Sequence, residues 1–257
     1  MSASRVRILA LATGAMLFSL GNANASVLTV SSLVGGAPTG VDYVNFDDLS
    51  LGGSGGVAAN NSNSADVGSV TVTFAPDAQA VQGSANNLYA APYISNSNGG
   101  IFGDNTVSGP DSTTYITSGA EAGAHNTASA AVSFGSGQLY VGLLWGSVDS
   151  YNTLSFYENG TLVGSITGND VTASPNGDQG INGTLYVNIY STTPFDEIVA
   201  TSSQYAFEFD NLAYSNTIPP ALNAPLPAAL PLFASGLGVL GIAGWRKRRK
   251  VKRPPDL

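Results

Sequence analysis

The chain has 257 residues, of which only 10% are charged, with a net charge of −8 and no cysteine. The lack of cysteine excludes disulfide staples and, with a single histidine, disfavours a zinc centre. All nine basic residues lie at the ends, while sixteen of the seventeen acids lie between Ile8 and Trp245, so the middle of the chain repels phosphate and is a poor partner for nucleic acid.

Residues 1–25 have the three parts of a secretory signal: a cationic start with Arg5 and Arg7, an apolar stretch at 8–20, and the small-residue site Ala23-Asn24-Ala25. This predicts cleavage by signal peptidase before Ser26. The apolar stretch is too short to span a bilayer comfortably, and its plain alternative is a buried core helix. With no cysteine to acylate, the signal is not of the lipoprotein type.

Residues 26–217 predict one acidic domain, long enough for a single core. Gly, Ser, Thr and Asn abound, long helical periodicity is absent, and short β-rich runs recur between turn signals, which predicts an all-β sandwich. In chain order, residues 42–49 and 69–74 read as early strands and 51–64 as a flexible loop. Residues 76–126 read as long loops with a few short strands. The run 139–145 alternates Leu139, Val141, Leu143 and Trp145 on one face. Residues 153–167 predict a hairpin, with Asn159-Gly160 supplying a type I′ turn. Asn182-Gly183 precedes a run at 184–189, and 205–214 points Phe207 and Phe209 inward with Glu208 and Asp210 outward.

Without internal Lys or Arg, each acid of this domain is solvated, hydrogen-bonded to neutral donors, or bound to a cation. Asp47 and Asp48 end an early predicted strand and Asp210 ends a late one. First and last strands often neighbour each other in lectin-like sandwiches, so Asp47, Asp48 and Asp210 are the candidate Ca²⁺ ligands. Asp210 capping a turn is the alternative. Trp145, Tyr151 and Tyr157 are the candidate sugar-stacking side chains, set against the reading that alternate aromatics fill the core. Carboxylate pairs such as Asp149/Glu158 or Glu208/Asp210 meet the minimum for a glycosidase, but any acidic domain contains such pairs. His125 has no nucleophile motif beside it, and the expectation is a protein that is not an enzyme.

Residues 218–227 form a Pro-rich spacer. Residues 228–245 carry no charge and as a helix extend ~27 Å, close to the ~30 Å hydrocarbon core. Trp245 sits at the interface position, and Arg246, Lys247, Arg248, Arg249 and Lys250 follow as a stop-transfer tail (246–257) expected on the cytoplasmic side of the inner membrane. The Gly236 to Gly241 spacing fits G-x-G-x-x-G but lacks a preceding strand. It reads as a packing face in lipid.

The order of Pro225-Leu226-Pro227, apolar helix and basic tail resembles the PEP-CTERM sorting signal of Gram-negative bacteria. Pro225, Leu226, Pro227, Ala228 and Ala229 match its Pro-Leu-Pro variant, with Leu226 where the usual motif has Glu. The resemblance implies processing near these residues by a membrane-embedded exosortase. It also implies delivery to the cell surface or extracellular matrix, and association with exopolysaccharide or biofilm. The blocks 142–160 and 195–214 resemble one family of exosortase-dependent surface proteins, which implies a jelly-roll or lectin-like sandwich. The expectation is therefore an exported surface or matrix protein. A calcium-dependent carbohydrate-binding module is the alternative, and a glycan-active hydrolase is the second.

Overall fold

The computed structural model describes residues 27–34, 36, 38–58, 70–95, 98–104, 107–119 and 128–219. The signal segment with its cleavage point, His125, the sorting motif at 225–229, the apolar segment 228–245 and the basic tail lie outside the described residues.

Two strands of 18 residues each, β9 (Ser129–Gly146) and β12 (Leu185–Ser202), form the spine of the molecule. They pair antiparallel, from Leu185↔Trp145 at one end to Thr201↔Ser129 at the other. The register slips between Tyr190 and Phe195 and again between Phe195 and Glu197. Pro194, which has no N–H to give to a ladder, falls in this slip and is exposed.

Each spine strand changes neighbours across the slip. On one side of it, the pair is flanked by β10 (Asn152–Glu158) and β4 (Val70–Phe74), with Leu154↔Ala200 and Val72↔Val132 in register. Beyond these lie β11 (Thr161–Thr167) and β3 (Gly56–Ala58). On the other side, the pair is flanked by β1 (Leu28–Leu33) and β13 (Phe207–Ser215). β13 in turn pairs with β2 (Asp42–Val44) and β8 (Tyr115–Ser118), and β8 with β5 (Ala78–Val81). The result is one eleven-stranded antiparallel sheet. Among the described residues the only α-helix is one turn, α1 (Gly168–Val171).

One core joins the two halves. Phe195, at the slip, packs edge-on against Phe156 at 5.0 Å and Phe134 at 5.9 Å between ring centroids. Trp145 stacks on Phe207 at 4.2 Å, and Phe207 meets Phe209. The second half is also covered on its opposite face. There Tyr140, Leu144, Tyr186 and Ala213 pack with Ile94 and Phe102 from the long segment between β5 and β8. That segment contains β6 (Tyr93–Ile94), one 3-10 turn at Gly100–Phe102 and β7 (Gly109–Pro110), as expected of loops with a few short strands.

The hairpin forms as the Asn-Gly pair predicts: Glu158 faces Thr161, and Asn159 and Gly160 have φ of 50° and 73°. Asn182-Gly183 lies in a turn. Both long strands outrun their predicted cores. Asp47 and Asp48 lie in a turn beyond β2, not at its last residue, and Asp210 lies inside β13. Glu208 and Asp210 alternate away from Phe207 and Phe209 as expected, yet both are buried, because the β5–β8 segment covers their face.

Phe195→Ala removes the ring that bridges the slip and is expected to cost ~3–5 kcal/mol, measured by urea unfolding. Leu162→Ala, at a side chain 56% exposed, is expected to change stability by less than ~0.5 kcal/mol.

Candidate functional site

Two polar constructions stand side by side on the covered face of β13. The first is a cleft of about 630 Å³. Its floor is Glu208 from β13, and its walls come from the turn after β9, the loop before β12 and residues 84–89.

Glu208 is buried and held on both oxygens: Ala90 N–H donates to Oε1 at 2.9 Å and the Ser147 hydroxyl to Oε2 at 2.6 Å. Burial pushes its carboxyl up to about 7, opposed by those two donors and reinforced by the negative charge of Asp149. Asp149 is also raised by burial, against the lowering effect of Tyr151, whose hydroxyl donates to Oδ2 at 2.6 Å. The same hydroxyl lies 2.7 Å from the Tyr205 carbonyl oxygen, which ties the cleft wall to the entry of β13. Gly177 has φ of 67°, and a Cβ there would lie 2.8 Å from the Asp149 carboxylate. Glycine thus lets the 176–179 backbone lie directly against Asp149. Asn86, Asn87, Asn176 and Gln179 add amide donors and acceptors, and Tyr89, Tyr151 and Tyr205 add rings.

The second construction is acidic. Asp104, Asp111 and Asp210 place one carboxylate oxygen each within 4.8 Å of one another, and all three are buried. β13 reaches this cluster through a bulge. Asp210 pairs with Leu144 and Ala213 with Gly142, so one residue is extra, and Asn211 takes φ of 52°. Asn211 Nδ2 then donates to Asp104 Oδ2 at 2.7 Å. Thr113 supplies its N–H to Asp111 Oδ1 at 2.8 Å, and its hydroxyl reaches Asp111 Oδ1 and Asp104 Oδ1. Burial raises Asp104 to about 6, and burial with the charges of Asp111 and Asp104 raises Asp210 well above the usual carboxylate range.

Of the residues singled out by sequence, Asp210 sits in the acidic cluster. Asp47 borders it, its Oδ1 accepting from Thr114 N–H at 3.0 Å and its Oδ2 from Asn45 Nδ2 at 2.8 Å. Asp48 is exposed in the same turn, outside the cluster. Tyr151 lines the cleft. Trp145 is wholly buried against Phe207, so it is a core residue and cannot stack on a sugar. Tyr157 lies on β10 opposite Leu162 and Glu197, away from the cleft. The carboxylates that meet in one cleft are Asp149 and Glu208, which crosses the two pairs read from sequence. Asp104 and Asp111, in the loop-rich stretch, were not legible as ligands.

No protein-family model matches the chain, and no curated protein matches it.

The buried carboxyls set a direction for pH. Glu208 rises from 4.5 unfolded to about 7 folded, so folding favours its protonated form. Its stabilising contribution is complete below pH 4.5 and lost as pH rises through about 7. Asp149 shares the cleft with it, and the charge of Glu208 also reaches Tyr115 and Tyr151. Melting temperature in chelator is expected to fall across that window. Glu208→Gln is expected to flatten the fall and raise the midpoint at pH ~8, as read by thermal scans in matched buffers.

Proposed function

We propose that this protein is an exported bacterial surface or matrix protein, sorted by an exosortase, whose acidic module engages extracellular polysaccharide through the cleft at Glu208. The module is a lectin-like β-sandwich, the two halves of the sheet on either side of the β9–β12 slip being its layers.

The observation that carries the reading is the make-up of the cleft. Amides, carboxylates and tyrosine rings line it, and no Lys or Arg exists anywhere between Ile8 and Trp245. Hydroxyl-rich neutral chains suit such a lining: amides and carboxylates pair with sugar hydroxyls, and tyrosine offers an apolar face with a polar tip. Anionic ligands such as nucleic acid find no counter-charge there. The two ends of the chain support the placement: the signal segment exports the module, and the Pro225-Leu226-Pro227 motif, apolar helix and basic tail hold it at the inner membrane until cleavage.

A glycan-active hydrolase is the second reading, favoured by Glu208 and Asp149 sharing one cleft in different environments. Against it, both Glu208 oxygens are already engaged by Ala90 and Ser147, which suits a positioning role.

Calorimetric titration with the host's exopolysaccharide is expected to show binding that Tyr151→Ala and Tyr205→Ala each weaken about tenfold, roughly 1.4 kcal/mol. Leu162→Ala is expected to leave it unchanged. Shortening of the polysaccharide during the titration would move the assignment to the hydrolase, and absence of binding to any envelope glycan would refute the cleft reading. Intact mass spectrometry tests sorting separately: the expected native species starts at Ser26, ends near Ala228 and offers trypsin no cleavage site. A species still carrying Arg246 contradicts exosortase processing.

A further inference from the structure

The acidic cluster lacks an internal counter-charge. Its three carboxylates are buried within 4.8 Å of one another, and the chain between Ile8 and Trp245 supplies no ammonium or guanidinium group. Neutral donors serve only part of it. Thr113 and Asn211 reach Asp104, and Thr113 reaches Asp111 Oδ1. Asp111 Oδ2 and both oxygens of Asp210 accept no well-formed hydrogen bond, although the Asn211 N–H and the Asp111 carboxyl lie beside Asp210.

Asp210 gives the sharpest signal, a fully buried carboxyl whose oxygen stands among those of Asp104 and Asp111. Asn211 is also fully buried, and its Nδ2 donates to Asp104 Oδ2 at 2.7 Å and to the Asn98 carbonyl at 3.5 Å. The three buried carboxylate oxygens left unserved cost free energy unless something electropositive lies between them.

The donor set defines the chemistry. All the available ligands are oxygens, with no nitrogen or sulfur donor in the group, which selects a hard cation. Three carboxyls this close ionise together only against a multiply charged partner, which calls for a divalent ion. Magnesium requires near-ideal octahedral geometry and keeps several waters, which suits a closed pocket poorly, whereas calcium accepts six to eight oxygens in irregular arrangements. We propose that Asp104, Asp111 and Asp210 hold a calcium ion that fastens the β5–β8 segment to the covered face of β13. This assignment stands apart from the polysaccharide reading, since the cluster does not line the cleft.

The test uses the full chain in detergent after exhaustive dialysis against EDTA. Calcium at about 1 mM, the range of extracellular calcium modules, is expected to bind one-to-one by calorimetry. The melting midpoint is expected to rise by roughly 5–10 °C at a hundredfold excess over Kd, and magnesium at the same concentration to do much less. Asp111→Asn and Asp210→Asn are expected to abolish the calcium response, while Asp48→Asn in the neighbouring turn keeps it. Terbium luminescence sensitised by the surrounding tyrosines, and quenched by added calcium, gives a readout independent of melting. Should Asp210→Asn fail to fold, Asp111→Asn with terbium decides the matter: loss of the signal supports the site and persistence overturns it. Absence of any calcium heat or midpoint shift, or an undiminished response in both variants, overturns the proposal. The carboxylates are then paired through a shared proton.

Discussion

A folded module with sixteen acids and no lysine or arginine has to stabilise every buried carboxylate with neutral donors, a retained proton or a cation from outside. The structure uses the first means at Glu208, where a backbone N–H and a serine hydroxyl take one oxygen each. Asp47, at the exposed rim of the same face, is held in the same way between Thr114 and Asn45. The structure uses neutral donors incompletely at Asp104, Asp111 and Asp210, where the donors run out before the oxygens do. Charge balance, more than shape, therefore separates the parts of this covered face that are finished by the chain itself from the part that is not.

That face exists because of the spine. β9 and β12 are long enough to serve two halves of one sheet, and Phe195 fills the space where their register slips. Past the slip, successive residues of β9 are buried on both sides: Val141, Leu143 and Trp145 in the shared core, Tyr140 and Leu144 under the β5–β8 segment. A strand covered on both faces brings its outward residues into low dielectric. This is why β13 buries Glu208 and Asp210 although its alternation assigns them to the outer side.

Sequence patterning captured what is local. Asn159-Gly160 fixed the hairpin because a two-residue turn with both φ positive leaves few alternatives, and Phe207/Phe209 marked the inner side of β13 through period-two alternation. The first half of β9 was obscured by small residues such as Ala130, Ala131, Ser133 and Gly135, whose alternation carries little hydrophobic contrast. The second half of β12 was hidden by Pro194 and the acids Asp196 and Glu197 around the slip. β1 was missed for the same reason as β9, since Ser31 and Ser32 dilute its pattern. The cluster was half legible: Asp210 could be named from its strand, but Asp104 and Asp111 lie in a stretch with no periodicity. The packing of Ile94 and Phe102 with Tyr186, Leu144 and Ala213, together with the Ala90 and Asp104 hydrogen bonds to Glu208 and Asn211, brings that stretch to β13. Trp145 shows the converse error, because an aromatic in an aromatic-rich block reads equally as a platform or as core, and its neighbour Phe207 decides it.

The cleft and the cluster share their parts. Glu208 and Asp210 are two residues apart on β13, so their side chains stand on the same side of the strand, one in each site. The segment between β5 and β8 contributes to both: residues 84–89 wall the cleft and Ala90 holds Glu208, while Asp104 and Asp111 close the cluster. The Asn211 bulge sets where β13 hands one site over to the next, and Tyr186 holds it by donating to the Asn211 carbonyl at 3.2 Å. Anything that tightens the cluster, by neutralising its charge, presses the same segment onto β13 and steadies the cleft wall. Anything that leaves the cluster ionised and unserved pushes that segment away. The coupling needs no long-range pathway, only one covering segment anchored at two adjacent points of one strand.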